Sequence, residues 1–116
     1  MDLSVVIPAF NEAESIGPVL ERLCERLQSV DELRGCFEIL VIDDGSTDGT
    51  GDIARRASSL VSLVKHPYNL GNGAAVKTGI RNARGRVCVF MDADGQHDPE
   101  VIIRIFRGCD DYDMVV

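Results

Sequence analysis

Residues 87–100 read VCVFMDADGQHDPE, and this stretch holds one complete turn of the fold's logic. Val87 to Met91 is a short apolar run, too brief for a helix and rich enough in β-branched and aromatic residues for a buried strand. It stops at Asp92-Ala93-Asp94. Three residues after Gly95 comes Asp98-Pro99-Glu100, a helix start: a capping acid, proline at the first helical position and an acid in the first turn. Val101, Ile102, Ile105 and Phe106 then supply one apolar helical face. The unit is strand, polar loop, helix. Two carboxylates one residue apart at a strand end could hold a metal, attack a phosphate or sit in water.

The same unit recurs on both sides. Leu3 to Ile7 reads as a first buried strand, and Ile16, Val19, Leu20, Leu23, Cys24 and Leu27 recur at helical spacing behind it. Ser15 is the expected N-cap, which puts Pro18 in the first turn, and Pro8 is expected to end the strand. Phe37 to Ile42 is a second strand. Thr50 caps a helix carrying Ile53, Ala54, Ala57 and Leu60. Val61 to Val64 is a third strand, residues 73–84 form a helix rich in Gly and Ala that packs close to its neighbour, and Met114 to Val116 begins a fifth strand. Such alternation predicts an α/β fold, Rossmann-like, with a mainly parallel sheet and helices on both faces. In open parallel sheets ligands bind at the carboxyl ends of strands, near the point where strand order reverses. Polar clusters follow strands one, two and four. The chain stops inside the predicted fifth strand, so an N-terminal half of a larger domain is expected.

Bulk properties narrow the function. The 116 residues suit one domain, and a net charge of −7 disfavours nucleic acid as the main partner. An anionic substrate would need a local device, such as a metal ion or a loop of backbone N–H groups. The four cysteines lie far apart without a C-x-x-C pair, which reads as free thiols in a reducing cytoplasm. No apolar run is long enough to span a membrane, and the N-terminus enters a strand without a signal peptide.

Pro8-Ala9-Phe10-Asn11-Glu12 serves either as a plain strand-to-helix loop or as a ligand-contacting one. Asp43 to Thr50, DDGSTDGT, holds more acids than a turn requires, and one of the adjacent Asp43 and Asp44 could bond a ribose hydroxyl or a base N–H. Residues 71–79 nearly form two phosphate-binding motifs, but Val76 stands where both need Gly; Lys77 could still face a phosphate. At Asp92-Ala93-Asp94 a calcium loop fails because His97 occupies the obligatory Gly position. A dehalogenase-type phosphatase would continue Gly-Thr rather than Gly95-Gln96. A receiver-like module would carry its acid pair after the first strand. Mg²⁺ or Mn²⁺ held by Asp92, Asp94 and a Gln96 oxygen, together with a diphosphate, suits hard cations that keep waters. His97 reads as a loop residue rather than a ligand.

Taken in order and spacing, PAFNE (8–12), VIDDGSTDGT (41–50), NLGNGAAVKTG (69–79) and FMDADGQHDPE (90–100) resemble the family 2 glycosyltransferases of GT-A fold, nearest to the dolichol-phosphate or polyprenyl-phosphate mannosyltransferase-like branch. The likeness covers nearly the whole chain. It implies strand order 3-2-1-4, with the first and fourth strands adjacent, and a nucleotide-sugar-binding half spanning residues 1–116. By the same likeness Pro8, Phe10, Asn11 and Glu12 contact the nucleotide, with Phe10 where Tyr is common. Ile42 and Asp44, with Asp43 beside them, stand at the base and ribose. Asp92, Ala93 and Asp94 form the D-x-D segment, where Asp94, with Gln96 and Asp92, holds the metal on the diphosphate. The implied partners are a GDP- or UDP-linked hexose and, for the full-length protein at a membrane surface, a lipid-phosphate acceptor; a saccharide hydroxyl is the alternative. No catalytic base stands out in residues 1–116, so this portion is expected to be inactive alone.

Overall fold

The computed structural model describes residues 1–96 and 98–108 together with the strand at 114–115. The elements alternate without exception: β1 (Leu3–Ala9), α1 (Ala13–Gln28), β2 (Phe37–Asp43), α2 (Thr50–Ala57), β3 (Val61–Lys65), α3 (Asn72–Asn82), β4 (Val87–Phe90), α4 (Pro99–Gly108) and β5 (Met114–Val115). All pairings are parallel, in the order β3-β2-β1-β4-β5. The expected order 3-2-1-4 is present, and β5 adds the next strand. The reversal of direction falls between β1 and β4, in the middle of the sheet.

Strand side chains alternate between two cores, as a pleat requires. Leu3, Val5, Ile7, Ile39, Val41, Val87 and Val89 pack against α1, α2 and α4. Val6, Leu40, Ile42, Cys88 and Phe90 form a smaller cluster with Ala75 of α3. Helices therefore lie on both faces, three against one. On α1, Ile16, Leu20, Leu23 and Leu27 are fully buried, each worth about 1.5–3 kcal/mol relative to exposure. The small residues of α3 have the predicted purpose: a Cβ on Gly79 would lie 2.4 Å from Val6 Cγ1, so the helix sits directly on the central strand.

Several local expectations are corrected. Pro8 does not end β1; it pairs with Ile42 inside the strand. In a parallel ladder the groups of successive residues point to alternate neighbours. Ala9 C=O faces β2, where it accepts from Asp44 N–H, so Pro8 faces the β4 side. The β1–β4 ladder has by then finished, its last bond running from Met91 N–H to Val6 C=O. The missing N–H of proline costs nothing there, and the gap beyond it is the crevice. Ser15 is not the cap of α1. The helix begins at Ala13, which places Pro18 inside it rather than in its first turn. Helix α2 ends at Ala57, before Leu60, where Ser58 is extended and its Oγ accepts from Leu60 N–H. Helix α4 starts as expected, with Glu100 N–H donating to Asp98 Oδ1 at 3.0 Å. It buries Ile102, Ile103 and Phe106 and leaves Val101 42% exposed. Four apolar residues in five positions allow two faces, and only packing against α1 and the sheet chooses between them. Cys24, Cys36 and Cys88 are free thiols; Cys109 and His97 lie outside the described residues. Among the described residues, no helix is long and apolar enough to cross a membrane.

Candidate functional site

The loops after β1, β2 and β4 converge with the start of α3 around a cavity of about 460 Å³. Pro8, Ala9, Phe10 and Glu12 come from the first loop, Asp44 from the second, Asp92, Ala93 and Asp94 from the fourth strand's end, and Asn69, Gly71, Asn72 and Ala75 from the third crossover. The volume is that of a small-ligand site, which in proteins runs from about 300 to 1,000 Å³. A groove of similar size, about 440 Å³, runs between α1 and α4, but its charges are spent on one another: Arg22 with Asp98 and Arg26 with Glu100.

The first two loops are stapled together. Asn11 holds a left-handed backbone (φ 53°), its N–H donates to Ser46 Oγ, and its Oδ1 accepts from Thr47 N–H at 2.9 Å. The N-terminus of α1 is capped from across the sheet. Glu12 N–H donates to Thr50 Oγ1 at 2.9 Å, and Ala13 N–H donates to Asp48 Oδ2 at 3.1 Å. Asp48 also accepts from Thr50 N–H and from the Thr50 hydroxyl. The Thr50 bond above all, with the backbone donors, holds the Asp48 carboxyl below its ordinary range despite the opposing cost of burial. Ser15 Oγ donates to Ala93 C=O at 2.8 Å and to Glu12 Oε2 at 3.2 Å, tying α1 to the D-x-D segment.

Asp44 is 4% exposed, at the inner wall of the cavity. Its Oδ1 takes Leu70 N–H (2.9 Å) and His66 Nδ1 (2.7 Å), and its Oδ2 takes Gly71 N–H (2.9 Å). Burial pushes its pKa up, but the His66 bond and the two backbone donors together outweigh that and hold it below the ordinary range. Gly45 allows the loops to meet this closely, since a Cβ there would lie 2.3 Å from the carbonyl carbon of Tyr68.

The other predicted residues divide. Asn11 borders a neighbouring depression with Glu12, Asp48 and Asp94. Ile42 is fully buried in the smaller core, and Asp43, 2% exposed, accepts from Ser46 N–H; neither lines the cavity. Lys77 is exposed and does not line it either. It lies two residues past Ala75, which is about 200° around the helix, and Ala75 is one of the two residues, with Asn72, that α3 turns to the cavity. Gln96 is exposed and absent from the cavity wall; its backbone N–H donates to Asp94 Oδ1 at 3.0 Å. Sequence reasoning missed Asn69, Gly71 and Asn72. Their signal lay in the Gly-rich stretch, whose small residues at the start of a helix allow close backbone approach to the sheet or a ligand.

Asp92 and Asp94 are both exposed at the cavity, and both offer hard oxygen donors. Among the described residues no three acidic, histidine or cysteine side chains converge. Carboxylate oxygens are the hard donors that Mg²⁺ and Mn²⁺ prefer.

The structure is an open, all-parallel α/β sheet with a polar crevice at its switch point, the place where folds of this class bind their ligands. The family model for glycosyl transferase family 2 matches residues 4–116, and the chain belongs to that family. It is 40% identical over 106 residues to a dodecaprenyl-phosphate galacturonate synthase of Rhizobium johnstonii, covering 88% of this chain and 30% of that protein. It is 38% identical over 109 residues to a dolichol-phosphate mannosyltransferase of Pyrococcus furiosus, covering 92% and 30%. A mannosyltransferase of Pyrobaculum calidifontis, solved in complex with GDP-Man and Mn²⁺, superposes with a TM-score of 0.65 at 33% identity over 79% of this chain and 27% of that one. The chain therefore spans about a third of the length of the curated relatives it matches.

Proposed function

We propose that residues 1–116 are the donor-binding half of a metal-dependent, inverting glycosyltransferase that takes a hexosyl group from a GDP- or UDP-linked sugar and passes it to a polyprenyl phosphate. The observation that carries the reading is the cavity at the sheet's switch point, bounded by Phe10, Glu12, Asp44, Asp92 and Asp94. The relatives' names support the acceptor class, and the Pyrobaculum calidifontis complex supports Mn²⁺ and a nucleotide sugar.

In this reading each residue has a chemical task. Phe10, 45% exposed at the rim, offers a ring face to the nucleoside. Among the described residues Asp44 Oδ2 takes one N–H, so it keeps an acceptor position for a base N–H or a ribose hydroxyl. Asp94, with Asp92 beside it, would hold Mg²⁺ or Mn²⁺, which supplies positive charge where the departing nucleotide diphosphate gains negative charge. The Ser15 bond to Ala93 C=O fixes the segment between the two acids. A lipid phosphate is already an anionic nucleophile and needs no strong base.

The test is titration with GDP- and UDP-linked hexoses, with and without Mn²⁺, on the wild type and on Asp94→Ala. Mn²⁺-dependent binding, weakened about tenfold or more by the substitution, is expected from the loss of a charge-assisted contact. Binding that ignores both the metal and the substitution would sink the metal role.

A further inference from the structure

The function just proposed leaves one buried histidine without a task. His66 follows β3, its side chain 9% exposed, and both ring nitrogens are engaged. Nδ1 lies 2.7 Å from Asp44 Oδ1 and Nε2 lies 2.8 Å from Thr78 Oγ1. The ionised carboxylate only accepts, so Nδ1 carries the proton, and in the neutral ring Nε2 accepts from the Thr78 hydroxyl. His66 N–H meanwhile donates to Asp43 C=O, fixing the backbone that presents the ring.

These contacts close a ring. Asp44 holds Leu70 and Gly71 N–H, Gly71 leads into α3, Thr78 stands on α3 two turns later, and His66 returns from Thr78 to Asp44. The ring encloses the part of α3 that turns Asn72 and Ala75 to the cavity. Among the described residues helix α3 is alone on its face of the sheet, without a second helix to brace it.

We infer that His66 is a positioning residue for the donor site. By occupying Asp44 Oδ1 it orients the carboxylate so that Oδ2 keeps its open acceptor position at the cavity, and through Thr78 it sets where the first turns of α3 stand. The inference rests on the donor-site reading for its ligand, but not for its geometry.

The experiment uses His66→Asn and His66→Gln. An Asn amide nitrogen falls near the position of Nδ1, whereas that of Gln falls near Nε2, so only Asn can restore the bond to Asp44. Two readouts are taken: hydrogen exchange at the Leu70 and Gly71 amides by NMR, and calorimetric affinity for GDP and UDP with Mn²⁺. His66→Gln is expected to raise exchange at those two amides, and to weaken nucleotide binding, by about tenfold or more, the scale of one charge-assisted hydrogen bond. His66→Asn is expected to lose clearly less than His66→Gln on both readouts, since it keeps the bond to Asp44 and gives up only the one to Thr78. Equal behaviour of the two variants, whether both like wild type or both impaired, overturns the inference. If both fail to fold, Thr78→Val carries the same test, since it keeps the shape and loses only the hydroxyl that holds Nε2; unchanged exchange and affinity there would overturn it. If the wild type binds neither nucleotide, the functional proposal fails while the exchange data still decide the role of His66.

Discussion

Residues 43–48 and residues 92–94 both place aspartates at the carboxyl end of a central strand, and both help to line the same crevice. They are built for opposite purposes. In the loop after β2, Asp43 accepts from Ser46, Asp44 from Leu70, Gly71 and His66, and Asp48 from Ala13 and Thr50. Asp43 and Asp44 are buried, and those partners lie on the first, second and third crossovers. In the loop after β4, Asp92 and Asp94 are exposed, and the hydrogen bond Asp94 accepts is local, from Gln96 N–H. One loop spends its carboxylates on holding the site together. The other keeps Asp94 exposed at the cavity wall, where a ligand or cation can reach it. Acid content alone does not distinguish a scaffold from a site; where the lone pairs go does.

The largest effect should come from breaking the scaffold loop at its most connected acid. Asp44→Ala leaves two backbone N–H groups and His66 without their buried acceptor, and a cost of about 3–5 kcal/mol is expected from removing one partner of such a cluster. Urea denaturation followed by circular dichroism measures it; a loss under about 1 kcal/mol, typical of an ordinary surface change, would erase the contrast between the loops. The acid dependence has a definite sign. Asp44 and Asp48 are held below their ordinary values when folded. The stability they contribute is fully present above the unfolded aspartate pKa of about 4 and is lost as pH falls through the lower folded values. Stability should therefore decline below about pH 4, less steeply in Asp44→Asn, which has one fewer such group to protonate.

A smaller effect tests the staple between the loops. Thr50 is fully buried, and its hydroxyl accepts from Glu12 N–H while donating to Asp48. Thr50→Val keeps the volume and removes the hydroxyl, leaving the Glu12 N–H at the start of α1 without that acceptor. About 1–3 kcal/mol of destabilisation is expected, read as a lower denaturation midpoint. The amide of Glu12 should also exchange faster, which a change confined to α2 would not produce.

What the sequence made legible follows the same division. The parallel α/β class and the polar clusters at strand ends followed from periodicity, because it expresses a repeat that packing preserves, whereas the strand order, and with it the facing of PAFNE and DADG, came from the resemblance to family 2 glycosyltransferases. The termini of α1 and α4's buried face followed from neither. The cap of α1 is supplied by Asp48 and Thr50, thirty-five or more residues away, so local capping rules selected Ser15 instead. Val101 and Ile103 are equally apolar, and only the neighbouring helix decides between them. Within the site, Asp44 was identified but its three internal partners were not, since Leu70 and Gly71 act through backbone that no residue type announces. Ile42 was drawn in by the family resemblance, Asp43 by the acid-rich loop and Lys77 by a near-match to a phosphate-binding motif; none of the three lines the cavity, since alternation in a strand and rotation about a helix turn neighbours to different sides.

The smallest expected change in stability lies in the other loop. Asp94 is exposed, and its hydrogen bond to Gln96 N–H closes a two-residue turn that Gly95, at φ 83°, already favours. Asp94→Ala should therefore leave the denaturation midpoint where it is in metal-free buffer. Mn²⁺ combined with a nucleotide diphosphate should raise the midpoint of the wild type through binding linkage and leave that of the variant unmoved. This pairing is the sharpest form of the contrast, because the two loops then fail in different assays: Asp44→Ala lowers stability with or without ligand, while Asp94→Ala shows its loss only when metal and nucleotide are present. If Asp94→Ala instead unfolds the chain as readily as Asp44→Ala, then the acids after β4 are scaffold as well, and the crevice must draw its ligand contacts from Phe10, Glu12 and the start of α3.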